Sequence, residues 1–356
     1  MPSLAGLPAA AQDVGGAWKV ERGRVGLRIA KIAFPDRAGV VALTKTGESS
    51  NKGDALDNNA QYESPDGKIF ATAYVYRTTY ADAALAAYAT NRAILSRFGA
   101  ATRLAEQSTV AFAGQPGGAL RQIFTGARLN GADLISTAAF ARVGSWIVKL
   151  RVSGPANRAA EIVAALDALI AGAGSDLDAK IYPVAPLKLD PPCPTGDRPA
   201  PKLAGSKEAR SANVLSGLFG GSAIEPDAKA DANRLLAFPA NGLTPACVRG
   251  SLMVGGRAID LLQPSGTDEP PVVLAATDDA GTVLTAEKSL LGKGYTITRY
   301  AIGRIEVAAT IDRQPTAAQF SKWLATANAP ELTIRSTTSV KASGDSTTTV
   351  DTDTLK

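Results

Sequence analysis

The sequence predicts an α+β fold, two domains of antiparallel sheet flanked by helices. Three observations predict it. Short runs of alternating apolar and polar residues, separated by Gly, Asn and Pro turns, recur in both halves. Longer stretches with apolar residues at three- and four-residue spacing punctuate them. A proline-dense stretch divides the chain near its middle.

Residues 1–12 contain Ala9-Ala10-Ala11 before Gln12, which reads as the remnant of a signal-peptide cleavage site or as a flexible Ala-rich end. The N-terminal domain is expected over 13–174. Its opening strand or hairpin carries the alternating Val25, Leu27 and Ile29. Residues 45–60 are polar and read as a mobile surface loop. Pro65-Asp66-Gly67 is a hairpin turn that leads into a strand over 69–77. A helix is expected over 81–98, with Leu85, Tyr88, Leu95 and Phe98 as its stripe and Gly99 as its stop. Four strands follow, at 109–112, 118–125, 132–142 and 145–152, with Asn130-Gly131 as a tight turn. Pro155 then opens a second helix bearing Ile162, Leu166 and Leu169.

Residues 175–210 hold seven prolines and read as an extended linker. The C-terminal domain is expected over 211–335. It should begin with helical segments near 209–219 and 227–237. Strands are expected at 251–254, 258–262, 272–276, 283–288, 295–302 and 305–311. A closing helix over 315–327 carries Phe320, Trp323 and Leu324. Trp146 and Trp323 read as core anchors. The tail, 336–356, is rich in Ser, Thr and Asp and is expected to be disordered. Both halves close as strand, glycine turn (Gly144, Gly303), strand, then a helix after Pro155 or Pro315. A duplicated unit and two domains sharing the same punctuation both fit that pattern.

The element order over 20–172 resembles the PsbP/Mog1-like α/β/α sandwich. The residues that carry the likeness are the Leu85–Tyr88–Leu95 helix, the strand meander after it, and the closing Ile162–Leu166 helix. The resemblance implies helices on both sides of an antiparallel sheet and a non-catalytic binding or assembly role. It transfers no site residues.

Composition excludes much chemistry. The 356 residues include no histidine and two cysteines, Cys193 and Cys247. Without histidine, Ser-His-Asp and Cys-His relays cannot be built, and most zinc sites lose a ligand. The cysteines lie in Pro-rich segments without CxxC spacing. They read as one disulfide of an exported chain, the alternative being two free thiols. Hydrophobic residues make up 45% and charged residues 20%, enough for a packed core. The net charge of +5 is small and spread out, so no nucleic-acid partner is expected. No apolar run reaches the roughly 18 residues of a membrane span.

Short motif matches fail on context. Lys45-Thr46-Gly47 and Ser49-Ser50-Asn51-Lys52 imitate β-lactamase signatures in the wrong order within one loop. The pairs Asp278-Asp279 and Asp268-Glu269 read as turns, the alternative being a carboxylate pair for hydrolysis. In the strand over 69–77, Phe70, Tyr74 and Tyr76 share one face, a candidate binding face. Ile69, Ala71, Ala73 and Val75 share the other. A helix should cover the aliphatic face, while the aromatic face lines a groove or forms a second core layer. The expectation is therefore an exported, periplasmic or extracellular envelope protein. It binds or assembles with a partner protein, an envelope polymer or a small ligand and has no cofactor, metal or catalytic site. The alternatives are an envelope hydrolase using an Asp/Glu pair or Ser/Lys site, and a structural component of an envelope complex.

Overall fold

A computed structural model describes residues 17–49, 53–175, 179–193, 200–204, 242, 244–266, 269–278, 281–289, 294–325 and 332–351. The chain opens with β1 (Trp18–Glu21), β2 (Arg24–Leu27) and β3 (Ile32–Pro35). Next come β4 (Arg37–Ala38), β5 (Val41–Glu48), β6 (Asp57–Glu63) and β7 (Phe70–Tyr76). Helix α1 (Ala83–Phe98) leads to β8 (Arg103–Phe112), β9 (Gln115–Leu129), β10 (Ala132–Val143) and β11 (Trp146–Pro155). Helix α2 (Ala159–Gly172) precedes β12 (Gly174–Ser175) and β13 (Ile181–Tyr182).

The second half holds β14 (Ala246–Val254), β15 (Arg257–Pro264), β16 (Val272–Ala276), β17 (Val283–Lys288), β18 (Tyr295–Ala301) and β19 (Arg304–Ile311). Helix α3 (Ala317–Ala325) and the pair β20 (Ser336–Val340) and β21 (Ser346–Val350) complete it.

These strands make three antiparallel sheets. The small one runs β1-β2-β3-β12. The second runs β4-β5-β6-β7-β11-β10-β9-β8, with β13 beside β10, and the third is a meander from β14 to β21. Local chemistry explains the boundaries. Asn130 and Gly131 both take positive φ, 51° and 82°, which suits the tight β9–β10 turn. The Asp82 side chain caps α1 by accepting from the Leu85 amide at 2.8 Å. Gly99, at φ 79°, ends it.

Helix α1 lies between the second and third sheets. Its Ala83, Ala84, Ala86 and Ala87 pack with Leu120, Phe124 and Phe140 of the second sheet. Leu85 and Tyr88 pack with Leu274, Tyr300 and Val307 of the third. A helix buried on both flanks needs small residues where each backbone approaches closely, which explains its alanine run. Helix α2 covers the other face of the second sheet, together with residues of the small sheet. Helix α3 covers part of the far face of the third. The layers are thus α2, sheet, α1, sheet, α3.

Several expectations are corrected. Strands account for 53% and helices for 17% of the described residues, so the fold is closer to all-β than to α+β. The duplicated unit, one of the two readings that the shared punctuation allowed, is not repeated in the sheets: the second sheet sets β7 against β11, while the third follows chain order. Half of the loop expected over 45–60 lies in strands, because β5 and β6 reach into it from either side. Its polar residues sit on strands whose alternate positions are buried, such as Asn58 and Ala60.

The tail expected to be disordered instead forms the β20–β21 hairpin. Its Ser/Thr composition hides β-branched alternation, and Ser336, Thr338 and Val340 are buried. Where described, the Pro-rich stretch pairs with the sheets: β13 pairs with β10, and Leu189 bridges Ala246. Leu203 bridges Ile311. The helical segments expected near 209–219 and 227–237 lie outside the described residues.

The β7-to-α1 connection stitches the halves together. Thr78 Oγ1 donates to the Gly281 carbonyl at 2.8 Å, and Thr79 Oγ1 to that of Ala301 at 3.0 Å. Arg77 Nη1 donates to the Ala342 carbonyl at 2.8 Å, and its guanidinium lies 5.8 Å from the Trp146 ring centroid.

Candidate functional site

Strand alternation gives the third sheet two faces. Asp260, Leu262, Thr285 and Glu287 fall on the α1 side. Ile259, Leu284, Ile297 and Ala308 fall on the α3 side. The α3 side is too large for its helix. Nine helical residues span about 14 Å, whereas eight strands spread over roughly 34 Å. Thr316 fixes the start of α3 by accepting from the Gln319 amide at 3.2 Å.

What α3 leaves open is a groove of 820 Å³. Ile259, Leu284, Ile297 and Ala308 line it from the sheet, with Trp323 and Leu324 from α3. That volume falls within the roughly 300–1,000 Å³ of small-molecule sites. Among the described residues that line it, charge is confined to Arg257, Arg299 and Glu306. Glu306 is held by Arg304 at 2.8 Å and by Arg299 at 3.5 Å. Trp323 is 2% exposed and packs against Phe320 with ring centroids 5.2 Å apart. Its indole Nε1 is buried and has no hydrogen-bond partner among the described residues. Buried tryptophan N–H groups usually find an acceptor.

The opposite side of the third sheet is polar at two points. Asp260 accepts from the Tyr88 hydroxyl, from Ser251 Oγ at 2.6 Å and from Arg92 Nη2 at 3.2 Å. Burial and that hydrogen bond push the Tyr88 phenol well up. The cleft here measures only 20 Å³, about one water's worth, so the cluster is a lock between α1 and the sheet.

Glu287 is the second point. Burial raises its carboxyl from 4.5 to about 7, against hydrogen bonds from Thr285 and Tyr300 that lower it. Such an acid contributes stability below its ordinary pKa and loses it as pH climbs to the folded value. The chain should therefore lose stability between about pH 4.5 and 7. The loss should be on the order of 2 kcal/mol, discounted for Glu287's partial contact with water. Asp57, raised to about 6 by burial and by Glu48 and Asp54, acts in the same direction. Denaturant titrations at pH 5 and pH 8 check this: E287Q should flatten the difference, and an equal difference in both proteins would refute the assignment.

The candidate aromatic face shares a side of β7 without sharing an environment. Tyr76 is buried with the α1 alanines. Tyr74 is half-buried, with Lys149 Nζ 5.8 Å from its ring centroid. Phe70 is exposed near the strand's start. Ala71, Ala73 and Val75 occupy the α2 side. Cys193 and Cys247 form a disulfide with Cα atoms 5.1 Å apart, clamping the 188–193 segment along β14. Asp278 Oδ1 accepts from the Thr282 amide at 2.8 Å, a turn role. Its neighbour Asp279 lies outside the described residues, as does Asp268. Among the described residues no helix is long and apolar enough to cross a membrane.

The groove was not anticipated from sequence. Its signal is the mismatch between many alternating strands and a single short helix.

No family model and no curated protein matches the chain. Among solved structures, the solution structure of cyanobacterial PsbP (CyanoP) from Synechocystis sp. PCC 6803 aligns at 9% identity and a TM-score of 0.33. That alignment covers 47% of this chain and 97% of that one. A crystal structure from Bacteroides thetaiotaomicron VPI-5482 aligns at 12% identity and a TM-score of 0.28, covering 71% and 88%. CyanoP is thus a structural neighbour at a low score, and neither likeness carries an argument about function.

Proposed function

We propose that this chain is an exported cell-envelope protein that binds a long-chain acyl amphiphile in the groove between α3 and the third sheet. The observation that carries this reading is the buried Trp323 N–H, without an acceptor among the described residues, in the wall of an apolar groove. Leaving a buried donor unsatisfied costs about 1–3 kcal/mol, which a ligand carbonyl or carboxylate would offset. The apolar floor suits an acyl chain. Arg257 and Arg299 among the lining residues suit an anionic head. The disulfide supports export, because such bonds persist in oxidising compartments. A binding role fits better than hydrolysis, since Glu306, the carboxylate lining the groove, is engaged by two arginines.

Titrating the full chain with a fluorescent long-chain fatty acid should give saturable binding near one per chain. Trp323→Phe keeps the ring packing and deletes the donor, so it should weaken binding roughly three- to tenfold. Ala325→Trp, at the exposed end of α3, should fill the groove and weaken binding more, with the melting temperature unchanged. No saturable binding, or equal affinity in all three proteins, would refute the proposal.

A further inference from the structure

The small sheet gathers cations that are dispersed in sequence. Lys19, Arg22, Arg24, Arg28 and Lys31 line one open concavity of 690 Å³, with Gly174 and Ser175 on its other side. Among the described residues that line it the one carboxylate, Glu21, is paired with Lys19. Asp36 approaches the turn at Gly23. Arg24 donates to the Ala33 carbonyl at 3.2 Å and lies across Gly174, where a Cβ would come within 2.6 Å of Nη2.

Two of the five cations occupy backbone positions that ordinarily belong to glycine or asparagine. Arg22 has φ 50° in the β1–β2 turn, and Lys31 has φ 55° where it caps a short 3-10 turn. Side chains with a full Cβ are disfavoured there, and strain of this kind concentrates at functional surfaces. Between Arg28 and Lys31 the chain also exposes Ile29, 41% accessible, at the tip of the same turn.

We infer that this concavity docks the protein on an anionic, phosphate-bearing membrane surface. The cations meet the headgroups and Ile29 enters the interface. A clustered positive surface beside an exposed aliphatic tip is the pattern of peripheral membrane contact. Each basic side chain near such a surface contributes about fivefold in partitioning, and the contribution shrinks with salt. This inference is independent of the groove, which lies on the far sheet.

The test is co-sedimentation of the full chain with vesicles of phosphatidylcholine alone and with phosphatidylglycerol added, at low and high salt. Binding should require phosphatidylglycerol and fall at high salt. The double variant Arg22→Asn, Lys31→Asn places a better-suited residue at both strained positions. It should melt at the same temperature or higher while partitioning roughly 25-fold more weakly. Ile29→Ser should weaken binding without altering its salt dependence. Several results would overturn the inference. They are partitioning equal on neutral vesicles, an unchanged double variant, and binding to soluble polyphosphate but not to vesicles.

Discussion

Asp260→Ala should destabilise the whole chain by about 3 kcal/mol, measured by denaturant unfolding. Asp260 is buried between α1 and the third sheet and accepts from Tyr88, Ser251 and Arg92. Its removal leaves three donors without their acceptor and Arg92 without its ion pair. Breaking a buried pair from one side costs about 3–5 kcal/mol. The lower end applies because the Arg92 side chain is 31% exposed and keeps some contact with water. The form of the transition matters as much as its midpoint. Helix α1 contributes to the cores of both large sheets, so fluorescence and circular dichroism should shift together. Two separated transitions would show that the halves unfold independently and that the lock matters less than its geometry implies.

Reduction of the Cys193–Cys247 bond should cost about 4 kcal/mol. The cysteines are 54 residues apart, and closing a loop of that length removes that much chain entropy from the unfolded state. The bond also holds the 188–193 segment against β14, where Cys193 N donates to the Val248 carbonyl at 3.2 Å. Loosening it would expose the edge of the third sheet. The expected result is a lower denaturation midpoint in reductant, reproduced by the paired Cys193→Ser and Cys247→Ser changes. A loss under about 1 kcal/mol would mean that the unfolded loop is already compact or that the clamp is redundant.

Elements governed by local pattern were legible in the sequence. Strands β16 and β17 fall where alternation puts them, at 272–276 and 283–288. Helix α1 ends where Gly99 stops it. What was not legible depends on residues far apart in the chain. The alanines of α1 read as good helix formers, and nothing local says that a second sheet lies against their back. The β20–β21 hairpin was hidden because Thr counts as polar even where its β-branched side chain packs in a strand. Lys19, Arg22, Arg24, Arg28 and Lys31 are interleaved with apolar strand residues, so no basic block appears until the hairpins fold. Trp323 could be read as a core side chain. That its N–H lacks an acceptor among the described residues could not be read.

The central claim is that the groove beside α3 holds an acyl chain. The most direct measurement is photo-crosslinking of the full chain with a long-chain fatty acid bearing a diazirine near its methyl end, followed by peptide mapping. Labelling is expected on β17, β18 and β19, around Leu284, Ile297 and Ala308, competed by unlabelled fatty acid and lost in Ala325→Trp. Labelling confined to other surfaces, or labelling that unlabelled fatty acid does not compete, would contradict it.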